Sequence, residues 1–348
     1  MQFEHIHFGA GRQGVGGVVP LSCAAGGRVH VVVHGASELS PDCELACSLG
    51  APDGQRDDPV LDHASFSRAD KIEQLHPQAR EALRSAPELL LTTALSPLGV
   101  QEQSAFLLSL ARARTERGQS TVFIPCEEEI GEEHTRLLSQ LEEMGVDVRR
   151  CAFYRLSSQD LRRSLGRDRR AVVVAAAVEW VIEGEADCDL LRALAQAPGA
   201  SFSMYIDQHR VRIRWLAGNA RLSLALLAAE AKQPQLAIAS VESECAEWLE
   251  RIHGALVPLV QAHCPNLDCI ESYAARTRIA LLEHEDDGLT ALRNMRRTTL
   301  RPFMRELQRL IGDPWRAYVD TGALLPEELS RLLSALHTVL SDMESYSD

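Results

Sequence analysis

The chain has 348 residues, 45% of them hydrophobic and 24% charged, enough apolar material for two ordinary folded domains. Its formal charge of −13 argues against nucleic acid or an anionic membrane as the main partner. No apolar run approaches the ~18 residues of a membrane span, the start lacks the basic region of a secretory signal, and nine scattered cysteines fit a reduced, cytoplasmic protein.

The first element is a strand, Gln2 to Phe8, which runs into Gly9-Ala10-Gly11-Arg12-Gln13-Gly14. Gly9 suits a tight turn, Gly11 lets backbone approach a pyrophosphate, and Gly14 lets a helix pack closely on the strand. The N–H groups at that helix start can meet phosphate oxygens. Gly9, Gly11, Arg12, Gln13 and Gly14 are therefore candidate dinucleotide contacts. Pro20 falls inside the expected helix, where it removes the bond to the Gly16 carbonyl and kinks or shortens the segment. His5 and His7 share one face of the strand by its period of two, with His30 placed to join them from the next strand. They read as core or edge histidines before they read as a metal cluster.

The second strand is Val29 to Val33. An acid about 20 residues after the glycines usually grips the ribose hydroxyls. Here no carboxylate appears until Glu38, and no arginine follows the strand directly to hold a 2′-phosphate. The scaffold is legible while one ligand contact is missing.

Ser40 to Asp62 is polar and rich in Pro and Gly, and reads as a loop or insertion. A helix is expected over Pro77–Ser85 and a buried strand over Leu89–Ala94, with Ser96-Pro97 as the break. Next come an amphipathic helix over 100–117, a strand from Thr121 to Glu127 and a helix from Glu132 to Met144. Val146-Asp147-Val148 leads to a strand near Ala152–Leu156, and Ala171–Ile182 is one β-rich or buried run. From Asp189 onward the pattern is helical, including Asn219–Lys232, Glu242–His263 and Glu327–Asp342. The expected fold is α/β: a doubly wound, mainly parallel sheet over 1–190, then a mostly α-helical domain over 191–348.

Two further clusters have bland and functional readings. Cys264 and Cys269, after His263, form an ordinary turn or a metal site. Arginines at 293, 297, 301, 305 and 309 make a drifting helical stripe, interrupted by Pro302. That stripe is a solvated basic face, or Arg297 and Arg301 hold a phosphate or carboxylate by paired hydrogen bonds.

The order of motifs resembles the polyol-specific long-chain dehydrogenases, the mannitol dehydrogenase family, with a length nearest its mannitol-1-phosphate 5-dehydrogenases. The markers are His7-Phe8-Gly9-Ala10-Gly11 with Gly14-x-Gly16, Leu91-Thr92-Thr93-Ala94, Ile124-x-Cys126-Glu127, Arg155, Glu179-Trp180 and Gly218-Asn219. The resemblance implies a Rossmann domain with a helical substrate domain. It also implies NAD or NADP as cofactor, interconversion of a polyol and a ketose, and no metal. It adds Thr93 and Glu128 to the cofactor candidates, makes Arg214 and Asn219 the catalytic candidates, and makes Arg155, Arg297 and Arg301 substrate contacts.

Departures from the family pattern cluster near the chemistry. Its Lys-x4-Asn-x2-His becomes Arg214, Asn219 and Leu222. A lysine works as a base because its pKa can fall toward neutrality, whereas guanidinium stays protonated. Glu128 replaces the Asn beside the nicotinamide, Val33 the ribose acid and Tyr154 a further acid. Two function classes follow. One is an NAD(P)-dependent oxidoreductase with an altered site, acting on a small, anionic polyol, keto sugar or hydroxy acid. The other is a non-redox protein on the same scaffold, binding a metabolite, a partner or a biosynthetic enzyme. Either is expected to be a monomer or homodimer, and NAD or NADP to be held weakly or not at all.

Overall fold

The structure, a computed structural model, describes residues 2–9, 11, 13–33, 44–50, 64–127, 131–155, 170–176, 178–218 and 243–282, with 44–50 and 170–176 described by backbone alone. The chain divides into two compact units, Met1–Ile206 and Asp207–Asp348. The first unit thus runs past 190, because the segment after 188 packs into its core.

The first unit is built on a six-stranded sheet whose neighbouring strands are all parallel, in the order β4-β2-β1-β5-β6-β7. These strands are β1 (Phe3–Phe8), β2 (Gly27–Val33), β4 (Ala64–Arg68), β5 (Glu88–Thr93), β6 (Ser120–Pro125) and β7 (Asp147–Val148). Alternation sorts the side chains into two layers. Ile6 and Phe8 of β1, Leu89 and Leu91 of β5 and Phe123 of β6 form one buried cluster with Leu83, Leu107, Leu110, Leu137 and Leu141. Those leucines come from helices α2 (Pro77–Ser85), α3 (Pro97–Thr115) and α4 (Glu132–Glu143). Each such side chain contributes about 1.5–3 kcal/mol on burial. The helix starts follow local rules: Ser96 Oγ accepts the Gly99 N–H at 3.2 Å and Pro97 opens α3.

The opposite cluster holds Phe3, Leu90, Val122 and Ile124 against Val18, Leu21, Trp180, Ile182, Leu190 and Leu194. It is covered by α1 (Val19–Ala24), by α5 (Asp189–Leu194) and by a small sheet of order β11-β10-β8. The small sheet comprises β8 (Cys151–Arg155), β10 (Val178–Glu183) and β11 (Ala200–Ser203). Leu190 N–H also donates to Glu88 Oε2 at 3.0 Å, tying α5 to β5.

Three sequence expectations change. The stretch expected as a loop after Ser40 contains β3 (Glu44–Gly50), in parallel register with β9 (Arg170–Ala176). The run 171–182 is therefore two strands with different partners. Pro20 does shorten the first helix as expected: Gly14–Val18 form a wide turn, in which Val18 N–H reaches the Gln13 carbonyl and Val19 N–H that of Gly14, and α1 follows with only six residues. The segment after 189 is not purely helical, since it includes β11.

Arg114 of α3 is fully buried at the amino ends of β5 and β6. Its guanidinium donates to the carbonyls of Leu83 (3.2 Å), Ala86 (3.0 Å) and Ser120 (2.6 Å) and to Thr121 Oγ1 (2.9 Å). Burial and the charge of Arg117 push its pKa down to about 10.

The second unit shows α6 (Ile206–Ile213), a wide turn over Arg214–Gly218, α7 (Ser243–His263) and α8 (Ile270–Leu282). His253 Nε2 bonds the Leu216 carbonyl at 2.8 Å, and the Arg212 guanidinium lies 4.1 Å from the Tyr273 ring centroid. Among the described residues no helix is long and apolar enough to cross a membrane.

Candidate functional site

A parallel sheet binds ligands beyond its carboxyl edge, where successive connections leave in opposite directions. Here that place lies between β1 and β5, since β1 continues to β2 on one side while β5 and β6 extend the other. Gly9 leaves β1 with φ +119°, donating its N–H to the Val32 carbonyl at 3.1 Å. A Cβ there would collide with the Ala94 carbonyl oxygen, so the loops after β1 and β5 touch at their base. Gly11 is different: it is exposed, and a Cβ on it would meet nothing within 4 Å. Its carbonyl accepts the Val15 N–H at 3.0 Å, which closes the first turn of the following helix. The loop thus presents open backbone at the start of a helix, an arrangement that fits a pyrophosphate.

Gly14 is glycine for a reason the sequence did not show. A side chain at 14 would run into the ring of His7 and would lie 2.6 Å from the Gly9 carbonyl oxygen. His7 and His5 do share a face of β1, and both are fully buried. Thr92 Oγ1 sits between them, 2.6 Å from His5 Nε2 and 2.6 Å from His7 Nδ1, while His5 Nδ1 is 2.8 Å from Ser22 Oγ. The Thr92 hydroxyl has one proton, so one ring donates to it and the other accepts from it. The far nitrogen of His7, Nε2, has no hydrogen-bond partner. Burial pushes His7 down to about 3, opposed by the Gly9 carbonyl; burial, with His7 and His30, holds His5 well below its ordinary value. Both rings are neutral at physiological pH. His30 does not join them: it pairs in register with Ile6, which places it on the other face beside Glu4 and Ser65.

At the ends of β5 and β6 lies a second buried pair. Glu127 Oε1 accepts the Leu95 N–H at 3.2 Å and lies 3.7 Å from His134 Nε2, in the first turn of α4. Both side chains are almost inaccessible, and Glu127 Oε2 and His134 Nδ1 have no hydrogen-bond partner. Glu127 is therefore a brace for the loop after β5 and not a solvated acidic residue. Thr93, also buried, accepts the Cys126 N–H through its carbonyl at 2.8 Å.

β2 ends at Val33, which is 2% exposed and offers no polar group to a ribose. Its register partner is Arg68, the exposed last residue of β4. Gly9, Val33 and Arg68 thus stand side by side along the carboxyl edge.

The remaining candidates belong to other elements or lie outside the described residues. Gln13 is partly buried ahead of the wide turn, and Arg155 ends β8 opposite Val178. Arg214 is exposed in the turn after α6. Arg12, Glu128, Asn219, Arg297 and Arg301 lie outside the described residues, as does Leu222. Cys264 is buried with its thiol on the Gln208 carbonyl at 3.3 Å, whereas Cys269 is exposed. No group of three His, Cys, Asp or Glu side chains suited to a metal occurs among the described residues.

Sequence reasoning quoted Thr92 and Glu127 as motif markers and missed the buried contacts they make, Thr92 with His5 and His7 beside Ser22, and Glu127 with His134. A polar residue inside the otherwise apolar run Leu89-Leu90-Leu91-Thr92 was the available signal for the first of these.

No family model matches the chain, and no curated protein matches it by sequence. Solved structures do match in fold. A D-sorbitol dehydrogenase in substrate-free form aligns over 89% of this chain and 80% of its own, with a TM-score of 0.54 at 13% identity. A Pseudomonas fluorescens mannitol 2-dehydrogenase, in a ternary complex with NAD and D-mannitol, aligns over 97% and 79%, with a TM-score of 0.62 at 12% identity. The fold is that of the polyol dehydrogenases.

Proposed function

We propose that this chain is an NAD(P)-dependent oxidoreductase of the mannitol dehydrogenase type with an altered active site, acting on a small, anionic polyol, keto sugar or hydroxy acid. The observation that carries this reading is the Gly9–Gly14 turn between β1 and β5, with Gly11 open to solvent and unobstructed. Fold alone does not establish an activity, so the reading rests on that local fit. When bound, a nicotinamide supplies the hydride donor or acceptor. The chain's own residues hold the phosphates at the loop, brace the neighbouring loop through Glu127 and Leu95, and exclude water from the layer beneath.

Arg214 favours a second reading, a protein that keeps the fold without redox turnover. Its guanidinium cannot act as a base at any working pH. Calorimetric titration of the full chain with NADH and NADPH tests the first reading. Binding of either form supports it, and silence with both leaves the second.

A further inference from the structure

We infer that the buried chain Ser22–His5–Thr92–His7 carries its protons in one direction, toward the glycine loop, and that His7 is thereby a positioning residue for the dinucleotide phosphates; the inference rests on the dinucleotide reading above. All four side chains are buried, and each meets the next: Ser22 Oγ lies 2.8 Å from His5 Nδ1, His5 Nε2 2.6 Å from Thr92 Oγ1, and Thr92 Oγ1 2.6 Å from His7 Nδ1. Burial keeps both rings neutral, so each ring and each hydroxyl holds one proton to donate. Placing the Thr92 proton therefore places all the others, and only two orders exist. In the first, His7 Nδ1–H donates to Thr92, Thr92 to His5 Nε2, and His5 Nδ1–H to Ser22. The Ser22 proton then has no acceptor among the described residues, a costly state for a buried hydroxyl. His7 Nε2 is then a bare lone pair beside the Gly9 carbonyl: the point where a Cβ of Gly14 would fall is 2.1 Å from that nitrogen and 2.6 Å from the Gly9 oxygen. In the second order, Ser22 O–H donates to His5 Nδ1, His5 Nε2–H to Thr92, and Thr92 O–H to His7 Nδ1. His7 then carries its proton on Nε2, beside the Gly9 carbonyl, which favours a proton on that ring. Only the second order leaves no proton without an acceptor near it.

The consequence lies at the loop. Three successive donors point the same way, so their dipoles add head to tail and the positive end lies beneath Gly9 and Gly14. Buried dipoles are weakly screened. His7 Nε2–H also offsets the Gly9 carbonyl, whose negative end disfavours an anion at the loop. Neutral groups of α1, β1 and β5 thus lend the loop an electropositive contribution that suits phosphate oxygens.

The test joins nitrogen-15 NMR of the histidine rings to calorimetry with NADPH and NADH, all on the full chain. The native spectra should show His5 and His7 both neutral and both protonated at Nε2. A proton on His7 Nδ1, or a charged ring, overturns the inference whatever the chain binds, and this readout needs no variant to fold. Thr92→Val removes the hydroxyl and should weaken the dinucleotide that the native chain binds by about two- to tenfold, the range of one neutral hydrogen bond. Thr92→Ser keeps the hydroxyl and should bind within about twofold of native. Unchanged affinity in a folded Thr92→Val chain, or no rescue by Thr92→Ser, overturns the positioning role and leaves the dinucleotide reading standing. Silence of the native chain with both dinucleotides overturns that reading and the positioning role together, while the ring spectra still decide the proton order.

Discussion

The imidazole of His7 fills the space that a side chain at Gly14 would need, so strand residue and loop glycine are a matched pair. Gly14→Ala should destabilise the protein by about 1–3 kcal/mol, the usual cost of overpacking. His7→Ala should be destabilising alone, because it strips Thr92 of a partner. The double variant should be more stable than the sum of the two predicts, with a coupling of about 0.5–3 kcal/mol. Urea denaturation of the four proteins measures it, and strict additivity would show that the two residues do not contend for one space.

Gly11→Val separates binding from folding. A Cβ at 11 would meet nothing within 4 Å, so the melting temperature should stay within about a degree or two of native. It would project into the space proposed for the pyrophosphate, and dinucleotide affinity should fall about tenfold or more. Calorimetry with NADPH reads the second effect. An unchanged affinity would move the phosphates away from this loop.

Arg114→Ala should be among the most damaging single changes. It removes a buried cation and leaves the carbonyls of Leu83, Ala86 and Ser120 without that donor. A loss of roughly 3–5 kcal/mol is expected in chemical denaturation. Arg114→Lys should recover only part of it, because a lysine cannot span the same acceptors in a plane. A loss below about 1 kcal/mol would show that water replaces the guanidinium.

Acid should weaken the fold through histidines held neutral. An unfolded histidine titrates near 6.5, while burial holds His7 at about 3 and His253 at about 4. Between those values the unfolded state binds more protons, so stability rises with pH and is lost as pH falls below about 6.5. The loss continues toward pH 4 for His253 and pH 3 for His7. Each ring contributes about 1.4 kcal/mol per pH unit in its window. Denaturation midpoints measured from pH 7 down to 4 test this, and a flat profile would mean the rings take up protons as readily folded as unfolded.

Native protein should reduce neither NAD nor NADP appreciably with mannitol 1-phosphate or mannitol between about pH 6 and 10, since arginine is not a general base where the family pattern has a lysine. Arg214→Lys alone should recover little, because Leu222 still offers no polar partner to a substrate oxygen. Arg214→Lys with Leu222→His is the variant expected to gain. Robust native turnover would mean that another group takes the proton, and Glu128 and His209 would be the residues to substitute next.

Strands β1, β5 and β6 were legible because alternation and apolar runs are local signals. Helix α2 was legible to the residue, since Pro77 starts it and Pro87 follows its end. The pairing of β3 with β9 was not, because it joins segments more than a hundred positions apart. The same applies to chemistry. The glycine loop announces itself in six consecutive residues. Arg68 beside Val33, and Thr92 between two histidines, exist only through strand register. His30 was placed on the wrong face for that reason: its strand pairs it with Ile6, and nothing in either segment alone fixes that offset.

The wide turn at Gly14–Val18 constrains what this glycine-rich segment can become. Glycine-rich stretches are ordinarily where a chain gains or loses residues without harm. Here the spacing between Gly14 and Ser22 is counted at both ends, by the ring of His7 under one and by His5 Nδ1 on the other. Deleting one residue between them would turn every later side chain of the helix by about 100°, carrying Ser22 away from His5 and Leu21 out of the core. A segment that looks like a flexible connector therefore behaves as a ruler, open to substitution at Gly11 and closed to any change of length beyond it.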